Sequence, residues 1–398
     1  MNDMVLCVVP TVPVWKKGDI LIFDQKFFDG ITQYAKYWKG SVSILIRLSY
    51  GLVPDFGKVF LRREDLDFQC NLLEPDEPFQ ASHFADVSLI LAGGDSGNQL
   101  RLGVIAREAG AKLVFIIEYI PETRYQIVKL NTNNLVLRLR RSFYIWNEER
   151  DRRRAFQLAD GIQSNGMPAF REYSGFSRNL LYYDTRVSCI QYISDDCLAK
   201  RIEFLNEGHP LRLAFSGRVI KMKGADHLVK LAVILKQRRV DYQMEIFGTG
   251  DLDGYIRDEL DRENLKTKVI LRGVVDFSRI LVPELKNNCD LFVALHRQSD
   301  PSCTYLETLS CGVPLIGYAN RMFQGLLDEA DVGWGLPMNN VNAVADKIEK
   351  LNKNRIEIGK KAVNGLIFAR KHTFEKTMLS RISHMKDIVG INEESIFD

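Results

Sequence analysis

The segment QSDPSCTYLETLSCGVPLIGYAN (298–320) sets one carboxylate, Glu307, in a short helical pattern behind small polar residues. Asp300 suits the cap of that helix, Pro301 its first position and Gly312 its stop. The amides of Ser302, Cys303 and Thr304 would then be unpaired helix-start donors, suited to an anion such as phosphate. Glu307, about a turn further on, could accept hydrogen bonds from the hydroxyls of a nucleotide ribose. An ordinary surface acid is the plainer alternative. Its neighbours Tyr305, Leu306, Leu309 and Cys311 are mostly apolar, however, and an unpaired carboxylate among them would be costly.

Two further groups point the same way. In FSGRVIKMKG a strand ends at Ser216-Gly217, and Arg218 and Lys223 follow before a helix. A guanidinium fork and a compact ammonium at a strand's carboxyl end suit a diphosphate, although two solvated surface cations would share the spacing. In IFGTG, Gly248 and Gly250 directly follow a strand, where glycine permits either a tight turn or close approach to a ligand. Earlier in the chain, LAGGDSGN offers Gly93, Gly94 and Asp95 in a strand-end loop, and Glu118 closes the strand in FIIEY. His296 follows the apolar run LFVAL, where a structural role is as open as a functional one.

Positioning these residues requires strands that end together. From 211 onward, apolar runs (LRLAFSG, YQMEIFG, KVILRG, CDLFVAL, VPLIGY) alternate with amphipathic helical stretches, the pattern of a parallel sheet covered on both faces. The first half shows the same grammar in MVLCVVP, SVSILIRLS, VSLILAGG, KLVFIIEY and DGIQSNG. The expectation is an α/β chain of two Rossmann-like domains whose parallel sheets face a central cleft. The boundaries read as 1–190 for the first domain, 191–210 for a linker, 211–375 for the second, and 376–398 for a C-terminal helix.

The totals exclude other classes. A chain of 398 residues exceeds one ordinary core. A net charge of +3 gives no basic field for nucleic acid. No apolar run is long enough to span a bilayer. The opening MNDMVLCVVPTVPVWKKGD has an acid before its apolar run and lysines after it, the reverse of a secretory signal. The seven cysteines form no Cys-x-x-Cys pair and read as reduced core residues, so a cytoplasmic setting and no metal site are expected.

The order Gly-Arg…Lys-Gly, then Gly-x-Gly, then a helix with Glu followed by CGVPLI, resembles the C-terminal domain of a retaining GT-B glycosyltransferase, family 4-like. The resemblance covers roughly 211–337; the first half fits by architecture more than by motif. It implies transfer of a sugar from a nucleotide-sugar donor, UDP- or GDP-linked, to a glycan or lipid-linked acceptor with retention at the anomeric carbon. Polysaccharide or glycoconjugate biosynthesis is the implied setting, without an obligatory metal or other cofactor. Arg218 and Lys223, beside Gly217, would hold the donor diphosphate and stabilise the leaving group. Glu307 would bind the ribose, and the Cys303 and Thr304 amides would touch the phosphates. Gly248 and Gly250 would border the base and ribose, and Leu271–Gly273, with Arg272, would line the base pocket. The last helix would cross back to the first domain.

The chain also departs from that family. The first of its two usual glutamates falls at Ser299, with Asp300 one place later as a substitute. In place of the usual glycine pair after the first strand there is only Gly18, beside Asp19. Asp95, Gly94, Glu118 and His296 are left as candidates on the acceptor side, with Asp95 nearest a catalytic part. These departures sustain a rival, a catalytically silent GT-B protein that binds nucleotide sugar or a partner transferase. Finally, 135–154 holds seven arginines against three acids, interleaved with Leu, Phe, Tyr and Trp. It is expected to form a basic amphipathic helix, either in peripheral contact with an anionic membrane at its inner face or solvated with internal salt bridges.

Overall fold

Apolar runs of four to six residues with helices between them have one economical solution, and the computed structural model, which describes residues 4–54 and 57–391, adopts it twice. The acid preceding the first apolar run and the end of the 376–398 segment, from 392, lie outside the described residues.

The first sheet uses β1 (Leu6–Val9), β4 (Val42–Arg47), β6 (Gln69–Leu73), β7 (Leu89–Gly93), β8 (Lys112–Ile117), β9 (Gly161–Asn165) and β10 (Asn179–Tyr182). Their order is β10-β9-β8-β7-β1-β4-β6, and every pairing is parallel. Helices α1 (Gln25–Tyr37), α2 (Leu102–Ala109), α3 (Pro121–Asn131), α4 (Leu135–Leu158) and α5 (Met167–Glu172) connect them. A small antiparallel sheet of β2 (Trp15–Lys17), β3 (Ile20–Asp24) and β5 (Lys58–Arg62) flanks this layer and was not legible in the sequence.

The second sheet contains β11 (Leu211–Ser216), β12 (Tyr242–Phe247), β13 (Val269–Gly273), β14 (Leu291–Ala294), β15 (Leu315–Tyr318) and β16 (Gly333–Leu336). Its order is β13-β12-β11-β14-β15-β16, again parallel throughout. Around it lie α6 (Asp195–Asn206), α7 (Ala225–Gln237), α8 (Asp253–Arg262), α9 (Val282–Asn288), α10 (Thr304–Ser310), α11 (Arg321–Glu329), α12 (Val341–Lys353) and α13 (Ile356–Lys371). Both faces are covered, so Leu291–Ala294 and Leu315–Tyr318 are buried without alternation. Helix α14 (Phe374–Val389) returns to the first sheet: Met378, Ile382, Met385 and Ile388 join the core formed with Leu6, Val8, Leu89 and Leu91.

Each sheet has one point where successive connections run in opposite directions. In the first it lies between β1 and β7, and in the second between β11 and β14. Loops leaving adjacent strands at such a point diverge to opposite faces and leave a crevice at the carboxyl ends, where ligands bind in open α/β sheets.

Candidate functional site

The residues following β11 and β14 meet at the second crevice. Lys223 is buried and its ammonium donates to Asp300 Oδ2 at 2.9 Å. Burial, the largest single cause, would raise the Asp300 pKa, but the Lys223 charge, His296 and hydrogen bonds from Lys223 and Gln298 together outweigh it and hold the carboxyl below its ordinary value. Arg218 remains exposed at the rim. His296 is 1% exposed; its Nδ1 meets the Tyr305 hydroxyl at 3.2 Å, while Nε2 has no hydrogen-bond partner among the described residues. Burial, with Lys223 beside it, pulls the His296 pKa down to about 3, so the ring is neutral near pH 7.

The helix start differs from its expected form. Asp300 is not a cap and Pro301 is not a first helical residue, because α10 begins only at Thr304, with Cys303 at its cap position. The Ser302 amide is not free either; it donates to the Asp300 carbonyl at 2.9 Å. The physical reason is that Asp300 is drawn to Lys223, so its side chain cannot also fold back on the helix. Ser299, where the resemblance expects a glutamate, is instead tied to the first domain. Its amide donates to Gln126 Oε1 at 2.9 Å, its carbonyl accepts from the Thr123 hydroxyl at 3.2 Å, and its Oγ accepts from the Arg321 amide at 3.1 Å.

Glu307 is buried in α10, and Arg186 Nε donates to its Oε1 at 2.8 Å. The Arg186 guanidinium lies 4.1 Å from the centre of the Phe277 ring, so the pair is also stacked. Gly248 and Gly250 serve close backbone approach within the protein. A Cβ at Gly248 would lie 2.0 Å from the Gly217 carbonyl oxygen, and one at Gly250 would lie 2.5 Å from that of Val219. Arg272 is exposed and paired with Glu245 at 2.6 Å.

The first crevice holds a cavity of about 640 Å³. It is lined from β1 onward by Val8 to Val12, from the β7 end by Gly93 and Asp95, and by Glu118, Lys26, Asp184, Arg186, Tyr182 and Arg381. Asp95 is held in place: Arg152 Nη2 donates to its Oδ1 at 2.6 Å, and the Glu118 amide donates to its Oδ2 at 2.6 Å. Burial, with Asp95 nearby, carries the Glu118 pKa up to about 7, and its carboxylate accepts no hydrogen bond from the described residues. Gly94 packs behind Asp95, its amide bonded to the Ile116 carbonyl at 2.7 Å.

Gly18 and Asp19 are corrected. They form the exposed turn between β2 and β3, where Gly18 takes a positive φ of 61°, and they do not line the cavity. The chain reverses into a hairpin there, so the loop that approaches the crevice is Pro10-Thr11-Val12 instead.

Sequence reasoning missed Lys26, Asp184, Arg186, Tyr119 and Arg381. Lys26 Nζ bonds Asp184 Oδ2 at 2.5 Å and Cys303 Sγ at 3.3 Å, joining the first sheet's loops to the start of α10. Burial pulls the Lys26 ammonium down, yet Asp184 and Cys303 more than reverse that. Tyr119 is pushed up to about 12 by burial and by Glu118, Asp300 and Asp95, with Arg218 opposing, so it feels charges from both sides of the cleft. A Lys at a helix start in FDQKFF and an Asp-x-Arg after an apolar strand in YYDTR carry no separate motif.

Other expectations shift as well. Cys189 and Cys197 are exposed and Cys303 is half-buried, while the remaining four cysteines are buried; all are free. Helix α4 forms over the basic segment but lacks two clean faces. Arg152 is fully buried against Asp95 and Glu149, whereas Leu135, Val136, Leu139, Phe143, Tyr144 and Trp146 are exposed. Among the described residues, no helix is long and apolar enough to cross a membrane, and no cluster of metal-ligating residues forms.

Residues 199–365 match the family model for glycosyl transferases group 1. The match takes in somewhat less than half of the chain. The D-inositol 3-phosphate glycosyltransferase of Pseudarthrobacter chlorophenolicus is 29% identical over 122 residues, 28% of this chain and 29% of the relative. The GtfA subunit of the UDP-N-acetylglucosamine–peptide N-acetylglucosaminyltransferase of Streptococcus pneumoniae is 23% identical over 145 residues, 35% of this chain and 27% of the relative. The matches thus span less than a third of each relative's length. The whole chain resembles solved structures more broadly. The sucrose-phosphate synthase of Thermosynechococcus elongatus superposes with a TM-score of 0.66 at 14% identity, covering 98% of this chain and 100% of that one. HepE of Anabaena, solved with UDP-glucose, gives 0.63 at 14% identity, with 96% and 99% covered. Likeness at this identity establishes the fold, which is GT-B.

Proposed function

We propose that the chain is a retaining, family 4-like glycosyltransferase that moves a sugar from a nucleotide-sugar donor to a glycan or lipid-linked acceptor, in polysaccharide or glycoconjugate biosynthesis. The observation that carries this is the contact of Lys223 with Asp300 across the loops after β11 and β14, with Arg218 on the first of those loops, within the stretch that matches group 1. Arg218 and Lys223 would neutralise the donor diphosphate, and Asp300, rather than Ser299, would take the place of the missing glutamate at the sugar. Glu307 would receive the ribose hydroxyls, with Arg186 holding its carboxylate in register. The Cys303 and Thr304 amides would meet the phosphates, and Gly248, Gly250 and Leu271–Gly273 would border the nucleoside. As the sugar–phosphate C–O bond breaks, its electrons pass to the leaving diphosphate. The acceptor oxygen bonds to the same face, and its proton goes to a phosphate oxygen. Complexes of HepE with UDP and with UDP-glucose make a uridine donor the first to test.

The test is a thermal-shift panel of UDP, GDP and their sugars, followed by NMR of the anomeric configuration of any product. Binding should raise Tm by mass action, and Arg218→Ala should abolish the rise. A rise that survives Arg218→Ala removes the diphosphate assignment, and an inverted product removes retention. The silent-binder reading draws support from the Arg186–Glu307 pair, which already occupies the ribose acid. It predicts a shift with UDP but no UDP release from any nucleotide sugar.

We also propose that the start of α4 rests on an anionic membrane. Exposed Leu135, Val136, Leu139, Phe143, Tyr144 and Trp146 surround Arg138, Arg140 and Arg141, with no acid between 135 and 147. The protein should co-sediment with vesicles containing phosphatidylglycerol far more than with phosphatidylcholine alone. Equal sedimentation rules this contact out.

A further inference from the structure

The cavity at the first crevice has two chemically different parts. Val8, Ile31, Leu91 and Met378 line it while belonging to one buried core, against which Ile116 packs, and Val9 lines it from a neighbouring core. Sugar hydroxyls pressed on such a wall would lose water and gain no partner. The other part is polar. Tyr34, Tyr182, Glu118 and Asp184 all feel the charge of Arg381 from α14, and Glu118 and Asp184 also feel Lys26 from α1. Within it Tyr34 is 5% exposed, yet its hydroxyl has no partner among the described residues. The Glu118 carboxylate is likewise unbonded. A pure hydrocarbon would leave both groups unanswered, and a free oligosaccharide would leave the aliphatic wall unanswered.

We propose that this cavity binds an amphiphilic alcohol as acceptor: a hydroxylated head at Glu118 and Tyr34, and an apolar body against the aliphatic wall. The assignment rests on the glycosyltransferase reading and names its substrate class. The polar part is the one that adjoins the donor side. Lys26 donates to Cys303 Sγ at 3.3 Å, and Arg186 lines the cavity while holding Glu307 at 2.8 Å. The acceptor hydroxyl is therefore presented toward the donor residues, with its apolar body directed away. A volume of about 640 Å³ suits one ring with a chain of several carbons.

Two glucosides with one head test this by calorimetric titration in the presence of UDP: octyl and methyl β-D-glucopyranoside, both below the micelle concentration of the former. Octyl glucoside should bind at least about tenfold tighter, because its added methylenes leave water. Gly30 lines the cavity, and a Cβ added there meets no atom within 4 Å. Leucine is also the better helix former. Gly30→Leu should therefore fold, keep the UDP-induced Tm rise, and cut the octyl preference at least about threefold as its side chain takes up apolar space. Equal affinities for the two glucosides in the parent overturn the proposal. So does an undiminished octyl preference in Gly30→Leu. An octyl preference that Gly30→Leu removes, in a protein showing no UDP response at all, supports the cavity assignment and sinks the donor reading instead.

Discussion

Glu118 directly follows β8 as a half-buried acid without a hydrogen-bonding partner among the described residues, and its environment is what moves it. Burial is the largest cause, Asp95 and Asp184 add to it, and Lys26 and Arg381 oppose it, leaving a pKa of about 7 against an ordinary 4.5. The folded chain therefore keeps a proton that the unfolded chain has released. The resulting stabilisation is complete below about pH 4 and is lost as pH rises through 7. Glu118→Gln mimics the protonated form at every pH. By urea unfolding, the variant should exceed its parent by about 1–3 kcal/mol at pH 8 and match it near pH 4. A difference that does not vary with pH would show that Glu118 is not the titrating group. At the donor side the carboxylates behave differently, because each has a cation: Asp300 has Lys223 and Glu307 has Arg186. Sequence reasoning found three of those four residues, since Lys223, Asp300 and Glu307 lie in ordered motifs. Arg186 lies in none.

At the scale of elements, the turns after β11 and β12 are where backbone meets backbone. Gly248 has a φ of 117°, and an added Cβ would strike the Gly217 carbonyl oxygen at 2.0 Å. Gly254 in α8 has open space around the same position. Gly248→Ala should lower unfolding stability by about 2–4 kcal/mol, whereas Gly254→Ala should be neutral or raise it by up to about 1 kcal/mol. Urea denaturation separates the two; equal effects would mean that the strand-end turn relaxes freely. The Gly-x-Gly was legible in the sequence, but not which surface it approaches. Helix α10 was legible too, yet its start lay four residues beyond the apparent cap, at Thr304 rather than just after Asp300. A capping aspartate and an ion-paired aspartate look the same in one dimension. The hairpin of β2 and β3 escaped for a similar reason, since a strand of three residues such as β2 carries almost no periodicity.

Across the whole molecule, two parallel sheets bring their crevices to one cleft, and contacts across it fasten them together. Ser299 bonds Thr123 and Gln126, Arg321 pairs with Glu122 at 2.5 Å, and Lys26 reaches Cys303. Helix α14 closes the arrangement from the other side by adding its apolar face to the first sheet's core. By itself the sequence determined the two α/β layers and most donor-side residues, because strand periodicity, glycines at strand ends and a spaced Arg–Lys pair are local signals. Only the tertiary structure decided that Ser299 is an interdomain contact, that Arg186 faces Glu307, that Gly18 lies on an outer turn, and that Glu118 opens onto a cavity. Those facts depend on which loops the strand order places side by side, and strand order is set by long-range packing that no short stretch of chain encodes.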